Sequence, residues 1–180
     1  MNWRALPLLA LVLKVTAFGG LPGDPTGSSV PEWHANDWLN SPPLKLADLR
    51  GKVVLVRWWT APDCSLCATS LPVLGDWART LRERGLVVVG LYHHKSAKSL
   101  EPGHVAAEAK RLGVTFPVAT DPDWRTLREW WLDAGKRDYT SVTFLIGRDG
   151  RILHVHRGGT IDLATQEGAA LEKALRDALR

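Results

Sequence analysis

Two long apolar runs organise the chain: Val53-Val-Leu-Val-Arg-Trp-Trp and Leu86-Val-Val-Val-Gly-Leu-Tyr. Neither alternates with polar residues, so each reads as a strand buried on both faces. Between them Leu71, Leu74, Trp77, Ala78 and Leu81 recur at three- and four-residue steps. That spacing predicts a helix from about Cys64 to Arg84, kinked at Pro72 and closed by Gly85. Two buried strands joined by a helix imply a right-handed βαβ unit in a parallel sheet.

Further along, His104 to Leu112 reads as a helix ended by Gly113, and Phe116-Pro-Val-Ala as a short extended piece. A helix is predicted from Asp123 to Leu132, with Asp121 or Asp123 as its cap. Val142 to Ile146 and Ile152 to His156 flank Arg148-Asp-Gly-Arg, and Asp-Gly between apolar runs signals a hairpin. A last helix is placed from near Asp162, with Ala170, Leu171, Ala174, Leu175 and Ala178 on its apolar face. Upstream of the first long run, Leu44-Lys-Leu suggests a short strand and Ala47 to Arg50 a turn of helix. The fold class is therefore α/β, a central mixed sheet flanked by helices on both faces. Ligands of such sheets bind at the carboxyl ends of the parallel strands.

Residues 1–20 differ from the rest. A basic start, the apolar run Ala5-Leu-Pro-Leu-Leu-Ala-Leu-Val-Leu and small residues at Val15-Thr-Ala follow the plan of an export signal or N-terminal anchor. The run is shorter than the roughly 20 apolar residues of a membrane-spanning helix. No cysteine lies near it, so a lipid-modified cysteine is not expected there. Residues 21–43 hold glycine, proline and serine, and read as a linker and loose lead-in that Trp33 and Trp38 pin to a domain spanning 44–180. A net charge of +4 comes from scattered arginines, with no basic stripe or motif for a nucleic-acid partner.

The chemistry lies in the only two cysteines, Cys64 and Cys67, between the first strand and its helix. Positions three apart on a helix share a face, so the sulfurs can meet. Unpaired N–H groups and the positive end of the helix dipole favour a thiolate there. Cys64, at the helix start, is the expected attacking sulfur, and Cys67, one turn in, the resolving one. A purely structural bridge is disfavoured, because closing so small a loop adds little stability. A closed zinc site would need four ligands, and there is no second cysteine pair. Pro62 and Asp63 argue for a surface turn rather than inert core thiols. Tyr92, His93, His94 and Lys95 follow the second long strand and read as a solvated loop, with substrate contact or metal capture as the alternative. His154 and His156 share one strand face and read as surface positions, with help in holding a metal as the alternative. Trp124, Trp130 and Trp131 read mainly as packing.

The cysteine pair at a helix start, the proline five residues after the second cysteine and the late Thr143-Phe-Leu-Ile…Arg-Asp-Gly hairpin resemble the thioredoxin superfamily. Within it, Leu46-Ala-Asp-Leu-Arg-Gly-Lys-Val-Val-Leu-Val and Phe116-Pro-Val-Ala-Thr-Asp are similar to the exported TlpA/ResA-like thiol:disulfide oxidoreductases. The resemblance covers roughly Leu44 to the C-terminus and implies a thioredoxin-like fold. It also implies dithiol–disulfide exchange by Cys64 and Cys67 with cysteines of exported proteins, in the periplasm or cell envelope. No cofactor is needed, a membrane thiol-redox partner is implied, and the protein is expected to be a monomer. Trp59, Pro62, Thr140 and Ser141 fall where the substrate-binding surface is expected. The alternative is a copper(I)-binding metallochaperone of the same fold, since soft thiolates select that ion. A thiol peroxidase fits worse, because Ala61 stands where such a site has threonine.

The chain departs from this pattern in several places. Ser141 occupies the position of the family's cis-proline, and Ser70 stands where a glutamate is frequent. Arg57 replaces a buried acid or asparagine. Its guanidinium either points toward Cys67, stabilising thiolates, or reaches solvent or a carboxylate.

Overall fold

A computed structural model describes residues 24–60, 64–133, 137 and 140–180; the proposed signal segment and Pro62 lie outside the described residues. Six strands form one mixed sheet in the order β1-β4-β3-β2-β5-β6. β2 (Val53–Trp59) occupies an inner position, parallel to β3 (Leu86–Tyr92) and antiparallel to β5 (Val142–Ile146). β4 (Val118–Thr120) continues the parallel set beside β3, and β6 (Ile152–Arg157) closes the hairpin with β5. All seven residues of β2 are buried, the six apolar ones and Arg57 alike.

The sheet separates two apolar layers. On one side, Val53, Leu55 and Trp59 of β2 pack with Cys67, Leu71, Leu74 and Trp77 of α1 (Ser65–Thr80). The same layer takes Val105 and Ala109 of α2 (His104–Arg111) and Leu171 and Leu175 of α4 (Gln166–Ala178). On the other side, Val54, Val56 and Trp58 pack with Leu127, Trp130, Trp131 and Phe144. The expected mixed sheet with helices on both faces is what the chain forms.

The N-terminal lead-in is more ordered than its composition suggests. β1 (Asn36–Leu39) pairs antiparallel with β4, with a slip in register between its ends. Asp37 and Asn40 take left-handed φ values of 50° and 62°, which hides any strand period. Trp33 is buried, donates from Nε1 to the Leu44 carbonyl at 2.8 Å, and stands 5.8 Å from the Trp38 ring. The strand expected at Leu44-Lys-Leu does not form. Leu46 and Ala47 instead donate their amides to the Glu32 carboxylate, opening a 3₁₀ turn at Leu46–Leu49.

Two helices start later than expected. α1 stops at Thr80, and a 3₁₀ turn at Arg82–Arg84 leads to Gly85, whose φ of 94° suits glycine. After β4, Asp123 and Trp124 adopt left-handed φ values of 52° and 58°, so regular helix begins only with α3 (Arg125–Leu127). It continues as a π-helical turn, Arg128–Leu132. α4 begins at Gln166, capped by the Thr165 hydroxyl, rather than near Asp162.

Asp121 holds this irregular corner together. Its carboxyl oxygens accept from the Thr126 and Leu127 amides, each at 2.9 Å, and from Trp58 Nε1 at 2.8 Å. The group is buried, so its removal leaves three donors without water or protein partners. Asp121→Ala is expected to lower unfolding free energy by roughly 3–5 kcal/mol. Urea denaturation checks it; a loss under 1 kcal/mol contradicts this account.

Candidate active site

β2 and β3 end side by side, Trp59 opposite Tyr92, and α1 rises from the carboxyl end of β2. Cys64 is the N-cap of α1, and its Sγ accepts from the Cys67 amide at 3.1 Å. Cys64 and Cys67 are joined as a disulfide, with Cα atoms 5.3 Å apart. Cys64 is half-buried, whereas Cys67 has 0% exposure. A thiolate formed at Cys64 would face the unpaired amides and positive dipole of a sixteen-residue helix. Between the cysteines Leu66 is 57% exposed, the most exposed large apolar side chain described.

Two segments close over Cys67. Ser141, immediately before β5, places its Oγ 3.2 Å from Cys67 Sγ, and its carbonyl accepts the Gly158 amide at 3.0 Å. Residues 158–161, after β6, lie against the first turns of α1. Ser70 Oγ donates to the Gly159 carbonyl at 3.0 Å and accepts from the Ile161 amide at 2.8 Å. Gly159 allows this approach: a Cβ there would lie 2.7 Å from Leu66 Cβ. The serine standing in the family's glutamate position is thus a stitch between helix and loop. Sequence reasoning passed over that loop, although paired glycines facing a reactive helix end were its visible signal.

The remaining candidates divide. Thr140 is half-buried beside Ser141. Trp59, expected at the substrate surface, is fully buried with its ring edge-on to Tyr92 at 5.2 Å, so it forms the floor of the site. Arg57 is fully buried, and among the described residues it reaches no carboxylate. Its Nη1 donates to Thr143 Oγ1 at 3.1 Å and to the Gly158 carbonyl at 2.9 Å, and its Nη2 donates to the Gly159 carbonyl. Trp130 and Trp131 are buried packing, and Trp124 donates from Nε1 to the His94 carbonyl.

Two of the histidine expectations need correction. His93 is not in a solvated loop: its amide extends the β2–β3 ladder to the Trp59 carbonyl, which carries its side chain into the interior. There its ring meets Trp124 edge-on at 5.5 Å. His156 is buried too, because β6 pairs it with Thr143 beneath α4. Among the described residues no group of three His, Cys, Asp or Glu side chains is arranged to hold a metal ion.

The residues from 25 to 174 match the Redoxin family model. The chain is 35% identical over 124 residues to protein DipZ of Mycobacterium bovis, covering 67% of this chain and 17% of that protein. It therefore spans less than a fifth of that relative's length. It is 28% identical over 150 residues to the thiol-disulfide oxidoreductase ResA of Bacillus subtilis, covering 83% of this chain and 77% of that one. A thiol-disulfide isomerase from Corynebacterium glutamicum superposes with a TM-score of 0.64 at 24% identity, covering 83% of this chain and 95% of the other. That likeness concerns the fold.

Burial, with the Lys95 and Arg57 charges, pushes His93 down to about 3, and burial with Arg57 pushes His156 down to about 4. Both rings stay neutral when folded, while unfolded they titrate near 6.5. Their support of the fold is complete above pH 6.5 and is lost as acid protonates the unfolded chain first. For His93 the loss between pH 6.5 and 5 is about 1.5 kcal/mol. Urea titrations at both pH values should show His93→Phe losing less stability than wild type by that amount; equal losses would contradict the assignment.

Proposed function

Because the chain belongs to the Redoxin family, we propose that it is a thiol:disulfide oxidoreductase working through Cys64 and Cys67. The observation that carries this reading is the disulfide at the mouth of α1, one cysteine half-buried and the other enclosed. In the reducing direction the Cys64 thiolate attacks a substrate disulfide and forms a mixed disulfide. Cys67 then displaces the substrate thiolate and closes the Cys64–Cys67 bond. Two electrons leave the protein, two reach the substrate sulfurs, and the released thiolates take up protons. In reverse, a substrate dithiol is oxidised and the pair reduced. No cofactor takes part in either direction.

The exposed Leu66 and the half-buried Thr140, next to the buried Ser141 that touches Cys67 Sγ, form the surface offered to an extended client segment. The substrates are cysteine-bearing exported proteins, and a membrane thiol-redox partner resets the pair. The apolar N-terminal segment supports a cell-envelope location; among the described residues no helix is long and apolar enough to cross a membrane.

Insulin-disulfide reduction with a thiol donor is the test. Cys64→Ser is expected to lower the rate at least a hundredfold, because no thiolate remains at the helix mouth. Cys67→Ser is expected to accumulate a mixed disulfide, visible as a thiol-sensitive band on a non-reducing gel. Wild-type rates in the Cys64 variant would sink the assignment.

A further inference from the structure

Arg57 lies in the middle of β2, facing the α1 layer, where it is entirely buried. Its guanidinium donates to one hydroxyl and two backbone carbonyls, Nε has no partner, and among the described residues no carboxylate pairs with it. Burial pulls its pKa down to about 10, which still leaves it charged at neutral pH. A buried cation balanced only by dipoles gains when an anion forms close by.

The network reaches Cys67 through Ser141 and the next turn of the same helix through Ser70. The Gly159 carbonyl that takes Arg57 Nη2 also takes the Ser70 hydroxyl. Ser70 stands three residues beyond Cys67, on the same helix face and equally buried. Gly158 accepts from Arg57 and donates to the Ser141 carbonyl, while the Ser141 hydroxyl touches Cys67 Sγ. The charge is therefore held beneath the first turns of α1, in the layer that contains the enclosed sulfur.

We propose that Arg57 is a positioning residue that sets the redox poise of the pair: its fixed charge stabilises the reduced, thiolate-bearing state and makes the Cys64–Cys67 disulfide oxidising. This rests on the oxidoreductase reading above and adds a direction to it. Substrate dithiols are the favoured reactants. The Cys64–Cys67 bond breaks, the pair takes up two electrons, and the substrate's two sulfurs join. Of the two substrate protons, one goes to Cys67 and one to solvent, Cys64 remaining an anion.

Equilibration of full-length protein with defined glutathione buffers tests this, using wild type, Arg57→Gln and Arg57→Lys. Arg57→Gln should shift the equilibrium at least tenfold toward the disulfide, about 30 mV toward a reductant for this two-electron couple. It should also move the pH midpoint of Cys64 alkylation upward. Arg57→Lys, which keeps the charge, should retain most of both wild-type values. An Arg57→Gln equilibrium within twofold of wild type overturns the proposal, as does a lysine variant shifted as far as the glutamine one. If Arg57→Gln does not fold, Arg57→Met, which keeps the apolar stem and removes the charge, is read by the same equilibrium. A tenfold shift toward the disulfide supports the proposal and a value within twofold of wild type defeats it. Wild-type protein that fails to exchange with glutathione at all removes the oxidoreductase reading itself.

Discussion

The constraint on which the rest depends is that β2 is buried along its whole length and hydrogen-bonded on both edges. A strand so enclosed has no freedom in register or direction. Five residues separate the end of β2 from α1, whose Cys67, Leu71, Leu74 and Trp77 pack in the same layer as Val53, Leu55 and Trp59. The N-cap of α1 is therefore held by the whole core rather than by local preference. A sulfur placed there inherits that placement, which is how a small dithiol loop keeps its orientation.

The same strand accounts for the site's unusual support. Its side chains alternate between layers, so Trp58 reaches the Asp121 carboxyl on one side while Arg57 and Trp59 underlie α1 on the other. Arg57 and Ser70 meet at one carbonyl of the loop after β6, and Ser141 approaches Cys67 from the start of β5. Helix, loop and hairpin are thereby tied into one polar cluster around a single sulfur. Such a cluster couples its members, so a change at one position is transmitted to the others through shared acceptors.

Much of this was legible from residue pattern alone. The bounds of β3 and β5 followed from apolar runs and an Asp-Gly turn, because burial on both faces leaves an unbroken signature. The cysteine spacing located the site for the same local reason. What escaped was set by tertiary contact. β1 has four residues, two of its neighbouring φ values are left-handed, and its pairing partner lies about eighty positions away. His93 and His156 looked like surface residues, since nothing in a lone histidine tells whether its strand continues inward. Asp121 was one of two candidate caps beside Asp123, and its reach past two left-handed residues to Thr126 and Leu127 required the folded corner. Arg57 left two outcomes open, and the partners it takes instead include carbonyls from a loop about a hundred residues downstream.

The sheet's rims have a further consequence for behaviour in crowded solution. β1 is a short outer strand whose slipped register and left-handed residues spoil the regular row of amides another chain would need. At the opposite rim, Gly27 and Ser28 hydrogen-bond Ile152 and occupy the beginning of β6. Edge-to-edge aggregation is thereby discouraged at both ends of the sheet. That protection suits a protein whose own interior is rich in β-branched, aggregation-prone sequence.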